Sequence, residues 1–246
     1  MLVTITLKDG SSSEDSRLDF IPYKDERSKS YPAVELLGDQ PQLQYKNYFP
    51  GEWFDQGPDG ACTAFAICHE LVSSPVRYTD DINPDTARRM YHEAQHIDPW
   101  PGCSRGMSCM IEPTRKKYEG TSMLATLTIA KNRGYIEEYR WAFGEEDLAM
   151  SVSNIGPAVI GVMWHAGMYN TGSKNYLKAT GGVQGGHAVV VAGFDPKKDR
   201  YKIWNSWGRS WGLNGWAYVA RDTMASLLKD NGEAAIPLKR AGHGSD

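Results

Sequence analysis

No stretch of the sequence approaches the ~20 consecutive apolar residues of a membrane helix, so no spanning segment is expected. Charge of one sign is also scarce. The 27 Lys and Arg stand against 30 Asp and Glu, and no basic tract offers itself to nucleic acid or to an anionic membrane. The opening MLVTITLKDGSSSEDS has no charged region followed by an apolar run. No signal peptide is therefore expected, and the chain is assigned to the cytoplasm of its producing cell. Cysteine is sparse: only Cys62, Cys68, Cys103 and Cys109. In a reducing compartment these do not suggest a disulfide framework, although Cys103 and Cys109 flank PGCSRGMSC and are placed to close one small ring under oxidising conditions. Their spacing and surroundings do not make a zinc site. Internal repeats and low-complexity tracts are missing too. What remains is a chain with 41% apolar residues, 8 Trp, 13 Tyr and 6 Phe, enough to fill the core of one large domain or two modest lobes.

Three regions differ in grammar. Residues 1–45 are polar and read as an extended arm, with VTITL as a candidate edge strand. Residues 46–154 carry helical signals and form the expected first lobe. A first helix starts at Cys62, with Ala64, Phe65, Cys68, Leu71 and Val72 on one face. A second opens at Asn83-Pro84, an N-cap followed by proline in the first turn, and its apolar stripe runs Ala87, Met90, Tyr91, Ala94, Ile97. A third opens at Thr121 and closes at Gly134, and EEDLAMSVSN reads as a fourth with acidic residues in its first turn. Residues 155–246 change to short β-rich runs, PAVIGVMW, HAVVVAGF, YKIWNSW and GWAYVA, separated by Gly, Asn and Asp clusters. Helices first and strands second predict an α+β protein of two lobes with a cleft between them.

One cysteine stands apart. In GEWFDQGPDGACTAFAICHELV, Cys62 lies where a glycine-rich loop passes into the helix, so unpaired N–H groups and the helix dipole favour a thiolate there. A thiolate nucleophile needs a histidine as partner and proton carrier, and a third group to orient the ring. His69 points away from the helix start and His243 lies in a polar tail. His187 in GGHAVVVAGF sits at the mouth of an apolar strand, and Asn205, enclosed by Trp204 and Trp207, can fix its ring. Gln56 can direct its amide at a developing oxyanion beside the Cys62 N–H. Each residue alone is more simply a packed thiol, a core histidine or a turn asparagine. The combination is what calls for chemistry.

These segments resemble the papain-like (C1-type) cysteine peptidases. Gln56-Gly57 with Gly60-Ala61-Cys62 is similar to the family's nucleophile segment, His187-Ala188-Val189 with Gly193-Phe194 to its histidine strand, and NSWGRSWGLNGWAYV to its asparagine segment, in the same order. The resemblance implies a papain-like two-lobed fold, a helical lobe followed by an antiparallel β-barrel-like lobe with the active site between them. It implies Cys62 as nucleophile, His187 as general acid/base and Asn205 as its orienting group. It further implies Trp207 as the shield of that hydrogen bond, Gln56 in the oxyanion hole, and Gly120 in EGTSM as the backbone that pairs with substrate. The partner implied is a peptide or protein, with no cofactor and no metal; nothing in the sequence sets the oligomeric state. DERSKSYPA, YEGTS, EYRWAFG, GPAVIG and GGHAVV also look like papain-like proteins of actinobacteria and their bacteriophages, which implies an intracellular or virion-associated role.

There are departures. Thr63 replaces the tryptophan that commonly follows the nucleophile, Gly186 stands before the histidine, and Glu119 stands where another glycine is frequent. Asp59 replaces a cysteine usually disulfide-bonded, and a carboxylate there opposes a thiolate unless it turns away. The 55 residues before Gln56 are too few for the long helical prodomain of the family, so no such segment is expected. Rival readings are a non-catalytic papain-fold binding or virion structural module, and a cysteine amidase or transpeptidase sharing the acylation step. A more distant one is a zinc peptidase built on His92-Glu93-His96 in HEAQH, whose histidines fall on the polar face with Asp85, Arg88 and Arg89.

Overall fold

Helix α1 (Cys62–Leu71) is buried on every side, not along one face. Its central place explains why His69 and Glu70 are fully buried as well. His69 Nε2 accepts the Phe54 N–H at 2.9 Å, and burial pushes the ring down to about 3. Glu70 is held by Lys239 Nζ at 3.1 Å. The structure is a computed structural model and describes residues 4–49, 51–78, 81–100 and 118–239. Cys103 and Cys109, and hence the candidate ring between them, lie outside the described residues.

Helix α2 (Pro84–Ile97) begins as expected: the Asn83 side chain accepts the N–H groups of Asp85 and Thr86. It buries Ala87, Met90, Tyr91 and Ala94, whereas Ile97, which the same periodicity includes, is 49% exposed at the helix end. Helix α3 (Met123–Asn132) is capped by Ser122, which accepts the Ala125 N–H, and stops before Gly134 at φ +80. Helix α4 (Glu145–Asn154) carries Glu145, Glu146 and Asp147 in its first turn, where the dipole favours them.

A short ribbon pairs β1 (Ile5–Thr6), inside VTITL, with β2 (Ser12–Ser13). The remaining strands form one antiparallel sheet of seven. They are β3 (Lys46–Asn47), β4 (Ile136–Trp141), β5 (Ala158–His165), β6 (Val183–Asp195), β7 (Arg200–Trp204), β8 (Trp216–Ala220) and β9 (Glu233–Lys239), in order β4-β9-β5-β6-β7-β8 with β3 on β6. The α+β papain-like class stands, with an open antiparallel sheet and, among the described residues, no closed barrel. Helix α5 (Arg221–Lys229) and β9 were not legible beforehand, and β4 lies within the stretch read as helical.

The sheet separates two cores. On β6, Ala188, Val190 and Ala192 face the cluster that holds α1, α2 and α3. Val189 and Val191 face the other cluster, with Leu148 of α4 and Leu227 of α5. This alternation is the period of two of a strand buried on both sides. Its consequence for function is positional: α1 lies directly against β6, with its first residue beside the start of the apolar strand.

Candidate active site

Cys62 is the first residue of α1, and Ala61 before it offers no capping side chain. The Cys62 Sγ accepts the Ala188 N–H at 3.4 Å, which sets the thiol against the strand that carries His187. His187 is anchored on β6 opposite Val162 of β5. Its Nε2 meets Asn205 Oδ1 at 2.8 Å, and Asn205, just past β7, is fixed by its own N–H to the Gly215 carbonyl at 3.0 Å. Trp207 tilts across the imidazole at a centroid distance of 4.6 Å, and Trp164 meets the ring edge-on at 4.8 Å. Apolar rings therefore close two sides of that hydrogen bond.

Gln56 stands on the loop before α1. Its Oε1 accepts the Ser206 hydroxyl, and its Nε2 donates to the Asp59 carbonyl at 2.7 Å and faces the Arg17 carbonyl at 3.5 Å. Gly120 adopts φ +93, a left-handed conformation suited to glycine, and both its main-chain groups are engaged. Its N–H donates to the Tyr91 hydroxyl at 2.7 Å and its carbonyl accepts from Gln95 Nε2 at 3.1 Å. Main-chain pairing to an extended segment is made one residue later, by Thr121. The structure thus gathers Gln56, Cys62, His187, Asn205 and Trp207 at one place, with Gly120 on the adjoining wall.

The charges are not those of an ion pair. Cys62, His187 and Asn205 are all fully buried. Burial pushes the Cys62 thiol well above its ordinary value and the negative charge of Asp19 pushes it further, against a smaller opposing pull from the Ala188 N–H. Burial takes His187 down to about 4, opposed by Asn205 and the Arg17 carbonyl. Both shifts favour the neutral forms, thiol and imidazole. The carboxylate the sequence singles out as a threat, Asp59, turns to the surface and pairs with Arg88 at 2.8 Å. The one that meets Cys62 is Asp19, which accepts the Cys62 N–H at 3.2 Å and which burial pushes up to about 6. Nothing in the local sequence flags Asp19; the only trace is the apolar pair Leu18 and Phe20 around it in an otherwise polar arm.

The HEAQH motif lies on α2 with Glu93 carrying Arg133 by two hydrogen bonds. Among the described residues no group of three or more His, Cys, Asp or Glu is placed to hold a metal ion. The glutamate of the zinc reading is thus shared with an arginine.

Residues 85–235, more than half of the chain, match the model of the papain family cysteine protease. The matched span contains His187, Asn205 and Trp207 and begins after Gln56 and Cys62. Gamete and mating-type specific protein A of Dictyostelium discoideum is 28% identical over 190 residues, 70% of this chain and 41% of that protein. A cysteine protease of Blomia tropicalis is 26% identical over 198 residues, 68% of this chain and 56% of that protein. The chain thus spans about half the length of these curated relatives. Xylellain, a cysteine protease from Xylella fastidiosa, shares the fold at a TM-score of 0.63 and 15% identity, over 92% of this chain and 97% of that one. By its matched span, its fold and the residues it gathers in one cleft, the chain belongs to the papain family of cysteine proteases.

Proposed function

We propose that the protein hydrolyses a peptide or amide bond with Cys62 as nucleophile and His187 as general acid/base. The observation that carries this reading is the 2.8 Å contact of His187 Nε2 with Asn205 Oδ1 under Trp207, on the strand against which the Cys62 thiol rests. With Nε2 committed to Asn205, the free Nδ1 is the nitrogen left for proton transfer. In the reaction, His187 takes the thiol proton and Sγ attacks the carbonyl carbon. The oxyanion is met by the Cys62 N–H and the Gln56 carboxamide. The C–N bond then breaks as His187 returns the proton to the leaving amine, and a water deprotonated by His187 releases the acid from the thioester. Asn205 orients the imidazole, Trp207 keeps water from that bond, and the Gly120–Thr121 wall receives the extended substrate. A cytoplasmic or virion-associated setting, and kinship with actinobacterial and phage chains through DERSKSYPA, YEGTS and GGHAVV, belong to the same proposal.

The test is cleavage of an unfolded protein substrate, read by mass spectrometry of new termini. Hydrolysis lost in Cys62→Ala and His187→Ala supports the assignment. Product formed equally by Cys62→Ala would end it. Capture of an added amine in place of water would instead mark a transferase with the same nucleophile.

A further inference from the structure

Building on the peptidase reading, we infer that the segment Asp15–Ile21 is an inhibitory plug within the chain, and that the Asp19 carboxylate is the group that occupies the nucleophile's amide. The arm is polar in sequence, yet Leu18, Asp19, Phe20 and Ile21 are at most 2% exposed. The segment lies between two walls of the cleft. On one side the Ile21 N–H donates to the Thr121 carbonyl at 3.0 Å and the Thr121 N–H to the Asp19 carbonyl at 3.3 Å; on the other the Phe20 N–H donates to the Gly186 carbonyl at 3.1 Å.

The walls are shaped to this segment by glycine. A Cβ on Gly60 would stand 2.8 Å from the Ser16 carbonyl, on Gly120 2.8 Å from Ile21, and on Gly161 2.5 Å from the Phe20 ring. On Gly185 it would stand 2.8 Å from Leu18, and on Gly186 2.0 Å from the Phe20 carbonyl. Beyond the cleft, Arg17 lies 4.2 Å over the Trp207 ring and forks onto Asp15, whose Oδ2 accepts the Tyr169 hydroxyl at 3.1 Å. Ser16 donates to the Pro58 carbonyl at 2.6 Å.

What this segment presents to the nucleophile matters as much as that it covers it. Both donors assigned to the oxyanion face oxygens of the arm: Asp19 Oδ1 at the Cys62 N–H and the Arg17 carbonyl at Gln56 Nε2. The Asp19 carboxylate is fully buried, facing the Cys62 and Tyr91 side chains, a costly position for a charge. The cost is explained if the position serves the site. A carboxylate anion is a poor electrophile, so it can fill the place of the oxyanion without being cleaved. Its charge, at the end of α1 where a thiolate would otherwise be favoured, holds Cys62 as the thiol. The plug therefore closes the cleft and also dissolves the Cys62–His187 ion pair. Tyr91 of α2 faces the same carboxylate and, through Gly120, ties it to the opposite wall.

The experiment compares the full-length wild type with Asp19→Ala and Arg17→Ala. Hydrogen exchange over residues 15–23 reports the arm. Iodoacetamide labelling of Cys62, with buried Cys68 as internal control, reports the thiol. In the wild type, 15–23 is protected and Cys62 labels no faster than Cys68. Asp19→Ala speeds exchange over 15–23 and raises Cys62 labelling roughly 10- to 100-fold with Cys68 unchanged. Arg17→Ala, at a residue whose side chain is 32% exposed, moves both readouts the same way by less. Fast labelling of Cys62 in the wild type while 15–23 stays protected overturns the plug. So does continued protection of 15–23 in both variants, or a Cys62 that stays as slow as Cys68 once the arm exchanges freely. The peptidase reading fails separately: if Cys62 in the opened variants labels as an ordinary thiol, unaffected by His187→Ala, the plug stands without an ion pair behind it.

Discussion

Phe20→Ala is the variant that isolates how tightly the arm is held. The Phe20 ring is 1% exposed and packs against the backbone of Gly161 in β5, where even a methyl group would collide with it at 2.5 Å. Truncating a buried phenylalanine typically costs ~3–5 kcal/mol. Phe20 belongs to the buried cluster that also holds Cys62 and Ala188, and on the plug reading the loss of its ring falls on docking of the arm. At ~1.4 kcal/mol per factor of ten, the opened population should grow by a factor of at least roughly 100. Labelling of Cys62, measured where opening limits the rate, should rise by the same factor while the melting temperature of the rest of the fold changes little. Gly161→Ala should do the same from the other side, since its methyl group and the Phe20 ring claim one space. A Phe20→Ala chain whose melting temperature falls by several degrees with Cys62 labelling unchanged would refute this, by showing that Phe20 is a core residue of the whole domain and not of a detachable arm.

Three other outcomes follow from single contacts. Asn205→Ala, in the Asp19→Ala background where the cleft is open, should lower kcat/KM for peptide hydrolysis by ~100-fold through misorientation of His187, less than His187→Ala does. Equal loss in the two would mean that Asn205 does more than orient. Glu233, 6% exposed, accepts the Tyr23 N–H at 2.6 Å, and burial pushes it up to about 8. A carboxyl raised in the folded state stabilises below its unfolded value near 4.5 and loses that contribution as pH rises to about 8. Glu233→Gln should therefore remove a decline in stability of ~5 kcal/mol between those limits, read by denaturant titration at several pH values. Lys239→Met strips Glu70 of its buried partner and should cost ~3–5 kcal/mol in the same titration at neutral pH.

How much of this was legible depends on the range over which each feature is determined. Asn83-Pro84, Ser122 and the acidic turn at Glu145 announce their helices because caps and first turns act within a few residues. The segments around Cys62, His187 and Asn205 stand out in the sequence because a thiol, an imidazole and a carboxamide each sit with their glycines in a short contiguous run. Helix α5 starts after Ala220, which makes no side-chain cap, so no stop or start signal separates it from β8. Strand β9 is buried on both faces and carries Pro237 opposite Tyr139, so it shows neither alternation nor a clean β composition. Asp19 was beyond reach for a different reason. It meets the Cys62 N–H across 43 residues of sequence, and only the docked arm defines that contact. His69 and Glu70 look like polar surface in sequence and turn out fully buried, because α1 is enclosed by two helices and the sheet together.

The two titrating groups of the plugged cleft pull in opposite directions with pH, and that opposition can be broken on purpose. Asp19 stands near 6 in the docked state against an ordinary 3.8, so acid favours docking between those values. His187 stands near 4 against an ordinary 6.5, so acid favours release between those values. From about 4 to about 6, docking takes up one proton at Asp19 and gives up one at His187, and the equilibrium has no net dependence on pH. The groups that face them do not disturb this. The Cys62 thiol and the Tyr91 hydroxyl around Asp19 are both raised far above that range, while Asp15 near His187 is lowered by Arg17. Hydrogen exchange over 15–23, corrected for intrinsic rates, should therefore be flat from pH 4 to 6 in the wild type. Between about 6 and 6.5 His187 alone still titrates and release should shrink, and at higher pH release should grow as the freed Cys62 ionises, a rise that Cys62→Ala removes. Asp19→Asn keeps the shape of the side chain and an acceptor for the Cys62 N–H, but it leaves His187 as the only group that titrates on docking. In that variant the arm should loosen as pH falls from 6.5 to 4, by ~3 kcal/mol or roughly a hundredfold in exchange. An Asp19→Asn arm as indifferent to acid as the wild type would mean that His187 keeps its surroundings when the segment leaves, and that the burial of the imidazole belongs to Trp164 and Trp207 and not to the plug.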